Sequence, residues 1–94
     1  MKITLTSQQL SALKSFLNAF EDAEQLSDNE YVVDLYDIEP PISIDLTIGK
    51  DSIRIEGAAE LKFDAEMDGW YISDRIEDAD AVRKALEEAG AFAS

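Results

Sequence analysis

Between Ile42 and Ile48 every second residue is a large aliphatic one: Ile42, Ile44, Leu46 and Ile48 alternate with Ser43, Asp45 and Thr47. Successive side chains of an extended strand point to opposite sides of its sheet, so this spacing describes a strand with one buried face and one wet face. Such a sheet must cover its apolar face and can leave the other open. The two ends of the chain supply the cover. Thr6 and Gln9 have capping-box spacing, and Leu10, Leu13, Phe16, Leu17 and Phe20 follow at helical intervals, which predicts a helix from Ser7 to Gln25. Near the other end, Asp74, Glu77 and Asp78 precede a stripe of Val82, Ala85, Leu86 and Ala89, with Gly90 at the position of a left-handed cap and Phe92 beyond it.

The remaining segments read as short strands with tight connections. Tyr31–Tyr36 is rich in β-branched and aromatic residues and is stopped by Glu39-Pro40-Pro41. After a turn at Gly49-Lys50-Asp51, Ile53 and Ile55 alternate with Arg54 and Glu56 until Gly57 interrupts. Leu61 and Phe63 then alternate with Lys62 and Asp64, and Asp68-Gly69 marks a hairpin leading to Trp70, Tyr71 and Ile72. The expectation is an α+β fold: an N-terminal helix, an antiparallel meander sheet of four to five strands, and a C-terminal helix, both helices on one sheet face. With 94 residues it forms a single domain, residues 1–94. The open face should carry Asp45, Arg54, Glu56, Lys62 and Asp64. Trp70 should fill the core, Tyr71 should be half-exposed, and Tyr31 and Tyr36 should lie on opposite faces of their strand.

Charge is distributed unevenly over this fold. From Ser15 to Gly49 there are nine carboxylates and no lysine or arginine: Glu21, Asp22, Glu24, Asp28, Glu30, Asp34, Asp37, Glu39 and Asp45. Such a block cannot pair its charges internally and attracts cations or basic surfaces. The net charge is −13, from 21 acidic against 8 basic side chains, well beyond the magnitude of about 2–8 that keeps a small domain in solution. Direct binding to nucleic acid or anionic lipid is therefore excluded, since both are polyanions. Glu21, Asp22 and Glu24 fall at the end of the predicted first helix, where negative charge opposes the macrodipole and costs about 0.3–1 kcal/mol per exposed group. These nine acids, with Glu56 from the sheet, are the candidate partner-binding residues.

Little in the chain carries catalytic chemistry. Without cysteine or histidine there are no disulfides, thiolate metal sites or imidazole mechanisms. No glycine-rich phosphate loop is present, and carboxylate pairs at glycosidase separations arise by chance among so many acids. Asp64, Glu66, Asp68 and Gly69 resemble the start of an EF-hand loop, but the position of the closing bidentate glutamate holds Arg75, a charge opposed to the ion. The reading is a protein that is not an enzyme and uses no cofactor and no metal. The N-terminus lacks the apolar run of a signal peptide, which predicts a cytoplasmic location without a membrane partner.

A compact acidic domain in helix–sheet–helix order, entering its last helix through Asp74-Arg75-Ile76-Glu77-Asp78-Ala79-Asp80-Ala81, resembles the phage-encoded DNA-mimic inhibitors, some anti-CRISPR proteins among them. The resemblance rests on size, charge and element order and assigns no individual residue. It implies a protein that acts inside a bacterial host and sets carboxylates at phosphate-like spacings to occupy a nucleic-acid channel. The expected partner is the basic surface of a nucleic-acid-binding protein or nuclease complex. The alternative is an immunity-type or adaptor protein that binds one partner through a shape-specific surface.

Overall fold

A computed structural model describes residues 1–93. The elements run β1 (Lys2–Thr4), α1 (Ser7–Ala19), β2 (Ala23–Gln25), β3 (Glu30–Leu35), β4 (Ile42–Ile48), β5 (Ser52–Asp64), β6 (Gly69–Arg75) and α2 (Ala79–Glu88). All strands are antiparallel, in the order β1-β5-β4-β3-β2, and β6 pairs with the second half of β5. This is the expected α+β meander with a helix at each end. Both helices lie on one face, where Leu13 and Leu17 of α1 and Val82, Ala85 and Leu86 of α2 join Tyr31, Val33, Leu35, Ile42, Ile44, Leu46, Ile53 and Ile55 in one core. No helix among the described residues is long and apolar enough to cross a membrane.

The helix ends follow their capping chemistry. At the start of α1 the Thr6 hydroxyl accepts from the Gln9 amide at 3.1 Å, and the Gln9 side chain accepts from the Thr6 amide at 3.0 Å. In α2 the Asp78 carboxylate accepts from the Asp80 amide. At its other end Gly90, with φ +86°, lets the amides of Gly90 and Ala91 donate back to the carbonyls of Glu87 and Leu86, the paired bonds of a Schellman cap.

The first helix is shorter than its apolar stripe suggests. It stops at Ala19, Phe20 turns extended at φ −81°, ψ 126°, and Ala23–Gln25 becomes an edge strand on β3. Glu21, Asp22 and Glu24 thus lie beyond the helix and not in its last turns.

The larger departure is in β5. Asp45 of β4 pairs with Glu56, yet Ser43, two residues away, pairs with Ala59, so β5 carries one extra residue at Gly57-Ala58. Gly57 has φ +67°, the left-handed conformation of a glycine bulge. A single extra residue exchanges the two faces of everything after it. Ile53 and Ile55 point into the core, but Leu61 and Phe63 point to the open face, and Lys62 and Asp64 turn away from it. Trp70 and Ile72, paired with Phe63 and Leu61, follow them. Trp70 is 45% exposed and Tyr71 49%, so the tryptophan is not a core residue. Tyr31 and Tyr36 do take opposite faces, with Tyr31 buried and Tyr36 at the surface.

β4 begins at Ile42, opposite Glu60, so the ribbon of β5 and β6 beyond that point has no strand on its β4 side. The β3–β4 connection lies alongside instead: the Leu61 amide donates to the Pro41 carbonyl at 2.7 Å, and the Tyr36 ring sits 5.4 Å from that of Trp70. The Glu39–Pro40 peptide in this connection is cis. The ribbon contributes to a long molecule, 44 × 25 × 23 Å.

Candidate interaction face

The ladder register decides which carboxylates share the helix-free face. Tyr31, Val33 and Leu35 face the helices, so Glu30, Val32 and Asp34 point the other way, as do Ser43, Asp45 and Thr47 of β4 and Arg54 and Glu56 of β5. Glu24 of β2 pairs with Val32 and joins them. The Asp22 carbonyl accepts from the Asp34 amide at 3.0 Å, and the Asp22 charge acts on the Tyr36 phenol of this face. One row across the sheet reads Glu24, Val32, Asp45, Glu56. The row on one side reads Glu30, Thr47, Arg54, Lys2, and that on the other reads Asp34, Ser43, Ala59, Arg75.

Six of the ten candidate acids therefore converge on this face: Asp22, Glu24, Glu30, Asp34, Asp45 and Glu56. Asp37 and Glu39 lie at its end, in the β3–β4 connection. Glu21 and Asp28 do not join them; they occupy the turns before and after β2. The face has a charge gradient, because Lys2, Arg54 and Arg75 stand along the β1, β5 and β6 side. None of these cations reaches an acid closely: among the described residues the one ion pair is Lys84–Glu88, a 3.9 Å contact on exposed side chains of α2.

Local structure supports this clustering. Asp45 and Glu56 are direct cross-strand partners, an arrangement of like charges that disfavours the sheet. The Asp45 carboxylate also lies over Gly57, where a Cβ would come within 2.5 Å of Oδ2. The missing side chain at the bulge leaves room for that carboxylate. Asp34 is half-buried, and the Ser43 hydroxyl donates to its Oδ1 at 2.6 Å. The Tyr36 phenol beside it is pushed above its ordinary value, first by desolvation, then by the charge of Asp34 and a hydrogen bond to it, and then by the charge of Asp22. The acids are spread along strands and not gathered on a point: no three of them among the described residues are placed to hold a metal ion. The Asp64 carboxylate of the EF-hand-like segment accepts from the Glu66 and Met67 amides of its own hairpin turn.

Beside the acids lies an apolar group that the alternation pattern did not place there. Phe63 and Trp70 meet edge to face with ring centroids 5.4 Å apart, Tyr36 adjoins Trp70, and Ile72 extends the group at 67% exposure. The signal in the sequence was Gly57: an isolated glycine inside a strand pattern marks a bulge, and a bulge there moves Leu61 and Phe63 to the open side.

The fold and face define a class: a small α+β domain with a meander sheet, helices on one side and an acid-rich, partly aromatic surface on the other. No protein-family model matches the chain, and no curated protein or solved structure does so either.

Proposed function

We propose that this chain is a non-enzymatic binding protein whose helix-free sheet face acts as a polyanion and blocks the basic nucleic-acid-binding surface of a partner protein, in the manner of DNA-mimic inhibitors such as phage anti-CRISPR proteins. The observation that carries the reading is the convergence of Asp22, Glu24, Glu30, Asp34, Asp45 and Glu56 on one face with no cation at pairing distance. Strand spacing of about 4.8 Å and a same-face repeat of about 7 Å along each strand set the charges out as a grid. A rigid grid holds its charges in place before binding, so a partner's lysines and arginines need not order it. Long-range attraction then speeds encounter and makes the complex sensitive to salt.

The test is displacement of labelled duplex DNA or RNA from a panel of basic nucleic-acid-binding proteins and nucleases, at low and high salt. The expected result is competition with at least one panel member, weakened about tenfold or more by salt and abolished by the combined reversals Asp34→Lys, Asp45→Lys and Glu56→Lys. A tight complex that leaves the nucleic acid bound and ignores salt sinks this reading. That outcome favours the second one, an immunity-type or adaptor protein with a shape-specific surface. The exposed Trp70, Phe63 and Ile72 speak for it, since buried aromatic anchors dominate such interfaces.

A further inference from the structure

The ribbon of β5 and β6 and the β3–β4 connection enclose an open cleft at the end of the acidic face. Its wall is aromatic, with Tyr36 and Phe63 each packed against Trp70. Asp37, Glu39, Glu60 and Lys62 also line it, three acidic residues against one basic. Aromatic faces surrounded by net negative charge are unsuited to an anion and well suited to a cation, which the ring quadrupoles and the carboxylates attract together. A second copy of this chain would bring another net charge of −13 onto the same cleft, and anionic lipid or nucleic acid would be repelled likewise. The complementary occupant is a basic protein segment.

We propose that this cleft receives an arginine side chain of the partner, whose guanidinium stacks on Trp70 and Tyr36 while its edge meets the carboxylates of the lining. Arginine fits better than lysine: its planar group is weakly hydrated, stacks on rings and presents a fork of donors to carboxylates, whereas the ammonium is a strongly hydrated point charge. The proposal rests on the reading above in taking the partner to be a basic protein, and it adds a second element of recognition. The acid grid supplies attraction without regard to which cation answers it. The cleft distinguishes arginine from lysine.

Trp70 is the sole tryptophan of the chain and stands in the cleft wall, so its fluorescence reports occupancy directly. The experiment titrates the intact protein with hexa-arginine and with hexa-lysine, following Trp70 emission and, in parallel, heat. The expected result is that hexa-arginine binds about 3- to 10-fold more tightly than hexa-lysine and alone perturbs Trp70 strongly. Tyr36→Leu and Phe63→Leu, which keep apolar bulk and remove two of the three rings, should weaken that preference, leaving only what Trp70 supplies, without lowering the melting temperature by more than a few degrees. Equal affinities with Trp70 unmoved overturn the cleft. If such binding still falls with salt and with Asp45→Lys and Glu56→Lys, the acidic-face reading survives alone. Conversely, an arginine preference that ignores those reversals supports the cleft and removes the polyanion reading. Failure of both peptides to bind overturns the cleft as well.

Discussion

The two sides of this sheet are built from the same strands and obey opposite rules. On the helix side Ile42, Ile44 and Leu46 are fully buried, and no buried side-chain nitrogen or oxygen among the described residues lacks a partner. On the open side, one residue along, Asp45 faces Glu56 across the ladder and no cation lies close enough to pair. One side is arranged for stability; the other gathers like charges where a sheet selected only for stability would alternate them. The difference teaches where selection on stability stops in this molecule, since neighbouring residues on one strand answer to different demands.

The sharpest way to break the comparison uses two adjacent positions. Ile44→Ala removes a side chain with no exposed area and should cost about 2–5 kcal/mol in chemical denaturation, the range for large-to-small changes in a packed core. Asp45→Ala, next door, should be neutral or stabilising. If both destabilise alike, the open side is as structural as the covered one, and its carboxylates need no functional explanation.

Gly57 tests the boundary at which the faces exchange. Gly57→Ala must place a Cβ at φ +67° and within 2.5 Å of the Asp45 carboxylate, and should cost about 1–3 kcal/mol. Combining it with Asp45→Ala should recover the steric part and leave the backbone strain. An unchanged melting temperature for Gly57→Ala alone would show that the bulge does not need this glycine.

That boundary also explains how much of the molecule was legible in advance. Where a strand holds no extra residue of its own, as β4 from Ile42 to Ile48, alternation names the buried side of every residue. The Thr6–Gln9 box and Gly90 cap were equally plain, because capping is local chemistry. Alternation carries no memory across an inserted residue, so it assigns Lys62 and Asp64 to the face that Leu61 and Phe63 occupy, and Trp70 to the core. Ala23–Gln25 has residues that favour helix locally; its strand character comes from pairing with Tyr31, Val32 and Val33, a tertiary contact. Lys2–Thr4 likewise becomes a strand through β5, with too few residues to show a period. Of the candidate acids, Asp45 and Glu56 are legible as one surface from alternation; Asp34 and Glu30 join them only through the pairing of β3 with β4. The place of Asp22 and Glu24 beside them depended on where the first helix ended.

Smaller effects sharpen the electrostatic half of the comparison. Asp45→Asn removes one of two facing charges and should stabilise the fold by about 0.5 kcal/mol at low ionic strength, with the gain fading as salt screens the pair. Glu56→Gln should do the same, and the double change should gain less than the sum, because each single change already relieves the shared repulsion. Full additivity in a thermal-melt cycle would mean that the two carboxylates do not sense each other across the ladder.

The smallest effect concerns Tyr36, where the acidic face meets the aromatic cleft. Its phenol is held above the ordinary value of about 10 by desolvation and by Asp34 and Asp22. Between the unfolded and folded values the native state binds the extra proton, so stability falls as pH rises through that window. The contribution is fully present below the unfolded value and is lost above the folded one. Asp34→Asn removes the nearest charge and should lower the Tyr36 titration toward its ordinary value without restoring it, since desolvation, the largest cause, remains. Ultraviolet titration of the phenols, with Tyr36→Phe identifying the component that belongs to this residue, reads the change directly. A titration indifferent to Asp34→Asn would detach the phenol from the carboxylate, and with it the link by which the charged grid and the aromatic wall form one continuous surface.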